Sequence, residues 1–153
     1  MGYKVIGLDI IDGQLEEAKA CGADYAFNTM TDKDYVARIK ELTNGGVDAA
    51  VNFTASKRAY DDAPAILRPG SGLLMIVGIP QQALSFNAFD ISLSKFKVKG
   101  SNNGTPANMR PAIEFSSKHN IKPHLTLYSL EELPKMMELM VRQMLLRVSK
   151  ARH

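Results

Sequence analysis

Three runs in this sequence are too apolar for a sheet with one wet face. They are Lys4-Val5-Ile6-Gly7-Leu8-Asp9, Val47 to Phe53, and Leu73-Leu74-Met75-Ile76-Val77. Stretches with helical spacing and helix punctuation separate them. Strands that alternate with helices, and that are apolar on both faces, call for a parallel sheet covered on both sides. The fold class that follows is α/β. No repeat, low-complexity tract or linker interrupts the pattern, and 153 residues is about the length of one domain. The expected organisation is therefore one domain, residues 1–153.

The finer pattern supports that reading. Asp12 starts a helix through Leu15, Ala18 and Cys21, and Gly22 stops it. Tyr25-Ala26-Phe27 reads as a short strand. Thr31-Asp32-Lys33-Asp34 resembles a capping box opening a helix through Tyr35, Ile39 and Leu42. Asn44-Gly45-Gly46 is a turn. Ser56 is placed to cap a helix through Tyr60 and on to Leu67, and Pro69-Gly70 turns the chain into the next strand. Phe96-Lys97-Val98-Lys99 alternates apolar and basic residues, as an edge strand does. A helix is expected between Ala107 and Lys118, a short strand at Leu125 to Tyr128, and a final helix opened by the capping box Ser129-Leu130-Glu131-Glu132.

Composition narrows the class of function. Hydrophobic residues are 45% and charged residues 23%, the balance of a soluble globular protein. One cysteine, Cys21, excludes an internal disulfide and a four-cysteine zinc site; at its helical position a packed, inert thiol is expected. The start of the chain has no signal-peptide anatomy and no apolar run is long enough to cross a bilayer, so a cytoplasmic protein without membrane partners is expected. Charge is uneven. Met1 to Ser94 holds 8 basic against 12 acidic residues, and Lys95 to His153 holds 11 against 4. No aromatic residues interleave with the lysines, as single-strand binding would require, so the basic half reads as a solvated edge and tail rather than a nucleic-acid site.

Asp9 is the most informative residue. An acid at the carboxyl end of a buried strand in a βα unit stands where dinucleotide folds hold the adenosine ribose, and it would repel a 2′-phosphate, favouring NAD over NADP. S-adenosylmethionine-dependent methyltransferases place an acid at the same kind of strand end, and a merely helix-capping or solvated aspartate gives the same pattern. The Gly-rich fingerprint that should precede such an acid by about 20 residues does not occur in this sequence. Asn44-Gly45-Gly46 precedes a strand, so it is a turn and not a phosphate cradle.

Several segments, in order, carry a family resemblance. They are Gly2 to Asp9, Leu15-Glu16-Glu17-Ala18-Lys19-Ala20-Cys21-Gly22-Ala23-Asp24, Val47-Asp48-Ala49-Ala50-Val51, Leu67-Arg68-Pro69-Gly70-Ser71-Gly72, Val77-Gly78-Ile79-Pro80 and Val98-Lys99-Gly100-Ser101. Together they resemble the NAD-binding domain of the medium-chain zinc-dependent alcohol dehydrogenases, from the start of the chain to about Met140. The resemblance implies a Rossmann-like, doubly wound parallel sheet and roles for individual residues. Asp9 would hold the adenosine ribose, and Phe53 and Thr54 would lie along the adenine and ribose path. Val77, Gly78 and Ile79 would line the nicotinamide end, and Gly100, Ser101 and Asn102 would complete the carboxamide pocket. Arg147 is the counterpart of an arginine that reaches the pyrophosphate. The family's lysine five places after the ribose acid is Gln14 here.

The departures from the family matter as much. The zinc ligands of the catalytic domain, the first strand, its Gly loop and the first helix have no counterpart in this sequence. In the strand order 3-2-1-4-5-6 the first strand is central, so its omission is expected to leave the Asp9 strand and the Val47–Phe53 strand with unpaired edges. The sheet is thus expected to be incomplete, and no catalytic residue or metal site is assigned. His119 and His124 flank a proline in a loop and are not read as metal ligands. Met136, Met140 and Met144 recur at helical spacing, which reads as core packing.

Two functional readings follow, with a third behind them. The first is the NAD-binding portion of an alcohol dehydrogenase, in which the complete enzyme passes a hydride between an alcohol and NAD; zinc would belong to that complete enzyme. This chain is not expected to catalyse the reaction unaided. The second is a non-catalytic module that associates with itself or with a full-length relative through the edge strand Phe96 to Lys99. A methyltransferase explains Asp9 and the Leu67-Arg68-Pro69-Gly70 turn but not the later segments.

Overall fold

A computed structural model describes the backbone of residues 2–123 and 125–150, and side chains as far as Val141. The chain divides into two compact units, Met1–Ser101 and Asn102–His153.

The first unit is a run of parallel strand–helix repeats. In order it contains β1 (Ile6–Asp9), α1 (Asp12–Ala20), β2 (Tyr25–Asn28), α2 (Tyr35–Leu42), β3 (Ala49–Asn52), α3 (Lys57–Asp62), a 3₁₀ turn (Ala63–Ile66), β4 (Leu73–Ile76), α4 (Ala88–Ser92) and β5 (Lys97–Gly100). The strands form two parallel sheets, β1-β2 and β3-β4-β5. Register runs from Ile6 opposite Tyr25 to Asp9 opposite Asn28 in the smaller sheet. In the larger, Ala49 faces Leu73 and Leu73 faces Lys97. The α/β, Rossmann-like class is the one observed, and the sheet is split between β1 and β3 as expected when the central strand has no counterpart.

What joins the sheets is a shared core. Phe27 of β2, Ile39 of α2 and Ile66 are buried together, with Ile6, Val47 and Ala50 packed against them. Val47 and Ala50 also pack against the second cluster, formed by Tyr60, Ala63, Leu67, Leu74 and Phe96. Ile39, Tyr60 and Leu74 are fully buried. An edge-to-face pair, Phe86 on Phe96 at 6.1 Å, closes the second cluster. Cover on both faces is incomplete, contrary to expectation. Leu8 remains 36% exposed and Val51 51% exposed, although both lie within parallel strands.

Several local expectations are corrected. The Thr31 capping box does not form: Asn28 Oδ1 accepts from the Met30 and Thr31 amides, which commits that segment to a turn. The helix then starts at Tyr35, with Asp34 at its N-cap. Ser56 occupies the N-cap of α3 but makes no side-chain capping bond. Cys21 lies one residue past the end of α1 and is exposed, not packed. Phe96 precedes β5 and points into the core, so the exposed part of that edge is Lys97 to Gly100.

The second unit is helical. α5 (Pro106–Lys118) begins with a reciprocal Thr105–Asn108 capping box. The Ser129–Glu132 box opens a 3₁₀ turn, Leu130–Glu132, that leads into α6 (Leu133–Lys150). Leu125 to Tyr128 shows no strand among its residues. Leu127 is 88% exposed, so nothing buries an apolar face that would hold it extended. Met136 is half-buried and Met140 is exposed, so the methionine stripe is not a buried core on the described part of α6. The side chain of Met144 and residue His124 lie outside the described residues.

Candidate functional site

Parallel sheets gather chemistry at the carboxyl ends of their strands, where the loops leave backbone groups and polar side chains unpaired. Asp9 ends β1 and is half-buried. Its Oδ1 accepts from the Ile10 amide at 2.7 Å and the Ile11 amide at 3.0 Å. The other carboxylate oxygen, Oδ2, has no hydrogen-bond partner among the described residues. The loop after Asp9 is held from the neighbouring strand end. Asn28 Nδ2 donates to Asp12 Oδ1 at 2.6 Å and to the Ile10 carbonyl at 3.3 Å. Asn28 carries no sequence signal beyond its place after a short strand.

A second group of residues meets at the ends of β3 and β4. Asn52 Oδ1 accepts from the Thr54 amide at 2.9 Å and from the Thr54 hydroxyl at 3.0 Å. The Asn52 main-chain carbonyl accepts from the Val77 amide at 3.1 Å and the Gly78 amide at 2.9 Å. Tyr60, rising from α3, places its hydroxyl 3.0 Å from that same carbonyl and 2.5 Å from the Gly78 carbonyl. Burial pushes the Tyr60 hydroxyl above the ordinary tyrosine value, so it stays a proton donor. The two turns are pressed together. A Cβ built on Gly78 would lie 2.1 Å from the Thr54 carbonyl oxygen, so only glycine fits there.

Phe53 and Ile79 project from these turns and are 74% and 75% exposed. At the end of β5, Gly100 faces open space, and the Ser101 amide donates to the Ile76 carbonyl at 2.8 Å. The structure therefore brings Phe53, Thr54, Val77, Gly78 and Ile79 into one cluster. Gly100 and Ser101 end the adjacent strand, Asp9 ends the other sheet, and Asn102 belongs to the second unit. The Arg147 side chain lies outside the described residues. Sequence reasoning missed Asn52 and Tyr60; Tyr60 reads from its spacing as one more apolar position of a helix.

Among the described residues no group of three or more His, Cys, Asp or Glu side chains could hold a metal ion. A catalytic zinc needs three such ligands, so the side chains described here do not fit one. No helix of the described residues is long and apolar enough to cross a membrane.

A family model for zinc-binding dehydrogenases matches residues 1–118. The chain belongs to the zinc-binding dehydrogenase family. An alcohol dehydrogenase of Geobacillus stearothermophilus is 35% identical to this chain over 140 residues, which is 92% of the chain and 40% of that relative. Among solved structures, benzyl alcohol dehydrogenase from Acinetobacter calcoaceticus aligns with a TM-score of 0.75 at 28% identity, over 88% of this chain and 39% of that one. The alcohol dehydrogenase of Aeropyrum pernix aligns with a TM-score of 0.78 at 25% identity, over 92% and 40%. This zinc-binding dehydrogenase chain thus spans about two fifths of the relatives it matches, and its fold is theirs over that span.

Proposed function

We propose that this chain is the NAD-binding portion of an alcohol dehydrogenase-type oxidoreductase, meeting the adenosine ribose and the nicotinamide, and that it does not turn over an alcohol by itself. The observation that carries the reading is Asp9. One carboxylate oxygen is pinned by two backbone amides, which fixes the other, without a partner among the described residues, at a strand end where a ribose hydroxyl can donate to it. A fixed negative charge there disfavours a 2′-phosphate. The family match and the alcohol dehydrogenases among its relatives support the same assignment.

At the other end, the Val77 and Gly78 amides are already used by Asn52. Among the described residues, the Val77 carbonyl and the Ile79 amide remain to meet a carboxamide, with open space at Gly100 at the end of β5. Phe53 and Thr54 are assigned to the adenine and ribose path and Ser101 to the carboxamide side; Asn102 and Arg147 are assigned to the carboxamide and the pyrophosphate from the family resemblance alone. NAD, when bound, supplies the hydride acceptor. The chain's own residues bind and orient it, and no side chain described here polarises a substrate oxygen. The protein is read as cytoplasmic.

Titration with NADH and with NADPH, followed by ligand-observed NMR, tests the reading. Saturable NADH binding, with NADPH weaker, is expected. Absence of NADH binding, or binding of S-adenosylmethionine in its place, overturns it.

A second reading concerns assembly. β5 is an edge strand whose four residues, Lys97 to Gly100, are all exposed, and such an edge can pair with a second copy or a full-length relative. Sedimentation of the chain alone and mixed with such a relative tests it; a monomer in both cases rejects it.

A further inference from the structure

We propose that Tyr60 is a positioning residue: its hydroxyl ties the turn Asn52 to Thr54 to the turn Val77 to Ile79, and so sets the backbone that meets the nicotinamide. The inference rests on the reading of those turns given under Proposed function. The Tyr60 ring is fully buried in the core cluster with Leu74 and Phe96, a place a phenylalanine would fill as well. Only the hydroxyl distinguishes the two, and a buried hydroxyl needs a partner.

Its partners are not helix carbonyls nearby. They are the carbonyls of Asn52, the last residue of β3, and of Gly78, two residues past the end of the adjacent strand β4. A phenol has one proton, and the shorter contact, 2.5 Å to Gly78, is the one it serves first. The Asn52 carbonyl at 3.0 Å is the alternative acceptor. Strand ends normally diverge into their loops. Here the Tyr60 hydroxyl and the Val77 and Gly78 amides converge on the Asn52 carbonyl, and the Tyr60 hydroxyl reaches the Gly78 carbonyl as well. Glycine at 78 permits the closeness, since any Cβ there would strike the Thr54 carbonyl at 2.1 Å. The consequence is a rigid pair of turns in which the Gly78 carbonyl faces the protein, leaving the Val77 carbonyl and Ile79 amide for the ligand.

The test compares two ligands on the full chain and its Tyr60→Phe variant. NADH spans both ends of the site, whereas ADP-ribose lacks the nicotinamide. Tyr60→Phe is expected to weaken NADH by up to about fivefold, the factor of one lost hydrogen bond, and to weaken ADP-ribose, which meets only the Phe53–Thr54 side, by clearly less. The Val77 and Gly78 amides are expected to exchange faster with solvent in the variant. Gly78→Ala, which forces the turns apart, should show the same selectivity. Equal weakening of both ligands overturns the proposal, because it marks Tyr60 as a general support of the fold. So does unchanged NADH affinity. If neither ligand binds the unaltered chain, the functional reading itself fails and the proposal with it; faster amide exchange alone then marks the Tyr60 link as purely structural.

Discussion

Gly7 of β1 lies directly beneath Ala18 of α1: a Cβ added to the glycine would stand 3.2 Å from the alanine Cβ and 3.8 Å from the Tyr25 carbonyl oxygen. The helix that follows Asp9 settles this close to its strand because one of the two residues has no side chain. A methyl group at Gly7 needs a shift of a few tenths of an ångström, whereas a branched side chain needs the helix to move. Gly7→Val is therefore expected to destabilise the fold by about 2 kcal/mol despite valine's preference for strands. Gly7→Ala should cost less than about 1 kcal/mol. Urea unfolding midpoints measure both; equal midpoints for valine and glycine would show that α1 is free to lift.

How much of this was legible beforehand depended on how local each cause was. The Asp9 strand end, the Asn44 turn and the Ser129 capping box rest on neighbours a few residues away. All three appear in place, Asn44 with a positive φ of 50°. The split between β1 and β3 was legible too, because strand order follows from the family pattern. What escaped were contacts across the fold. Ile39 is completely buried because it bridges two separate sheets, a role its helical spacing does not reveal. Phe96 and Cys21 were misplaced by one-residue differences in where an element starts or ends, enough to turn one inward and the other outward. Leu125 to Tyr128 has strand-like residues, but a strand also requires a partner. In the site, Asp9 was readable as an acid after a strand, while Asn52 acts through its carbonyl and Tyr60 through a hydroxyl reaching another loop.

Alkaline pH exposes the tyrosines that the fold keeps protonated. Burial raises the Tyr60 hydroxyl above its ordinary value of 10.0, and burial together with the Asp62 charge raises Tyr35, against a smaller lowering by Arg58. The unfolded chain loses these protons first, so the unfolded state binds fewer protons above pH 10 and stability falls as pH rises. Below that value the contribution is fully present; it is lost as pH climbs through the folded values. Each tyrosine adds a slope approaching about 1.4 kcal/mol per pH unit. Tyr60→Phe should be less stable than the parent at pH 8, by about 1 kcal/mol for the lost hydrogen bond, yet decline less steeply between pH 10 and 11. Urea unfolding across that range checks it, and parallel slopes would mean that Tyr60 ionises as freely folded as unfolded.

Replacing Asp9 with asparagine separates charge from shape. The amide oxygen can still accept from the Ile10 and Ile11 amides, which hold the Asp9 carboxylate at 2.7 and 3.0 Å, so the loop after β1 should keep its form. What changes is the outward group: a carboxylate oxygen that accepts from ribose hydroxyls becomes an NH₂ that cannot accept. Hydrogen bonds to charged groups contribute about 1.5–3 kcal/mol, so NADH affinity should drop by about tenfold or more. NADPH should lose far less, because its 2′-phosphate no longer meets a negative charge. The preference for NADH over NADPH is thus expected to shrink toward unity in Asp9→Asn, with the urea midpoint nearly unchanged. Parallel titrations of both cofactors measure the ratio. A ratio that stays where it was would place the discrimination in some group other than Asp9, and the carboxylate would then be no more than the anchor of its own turn.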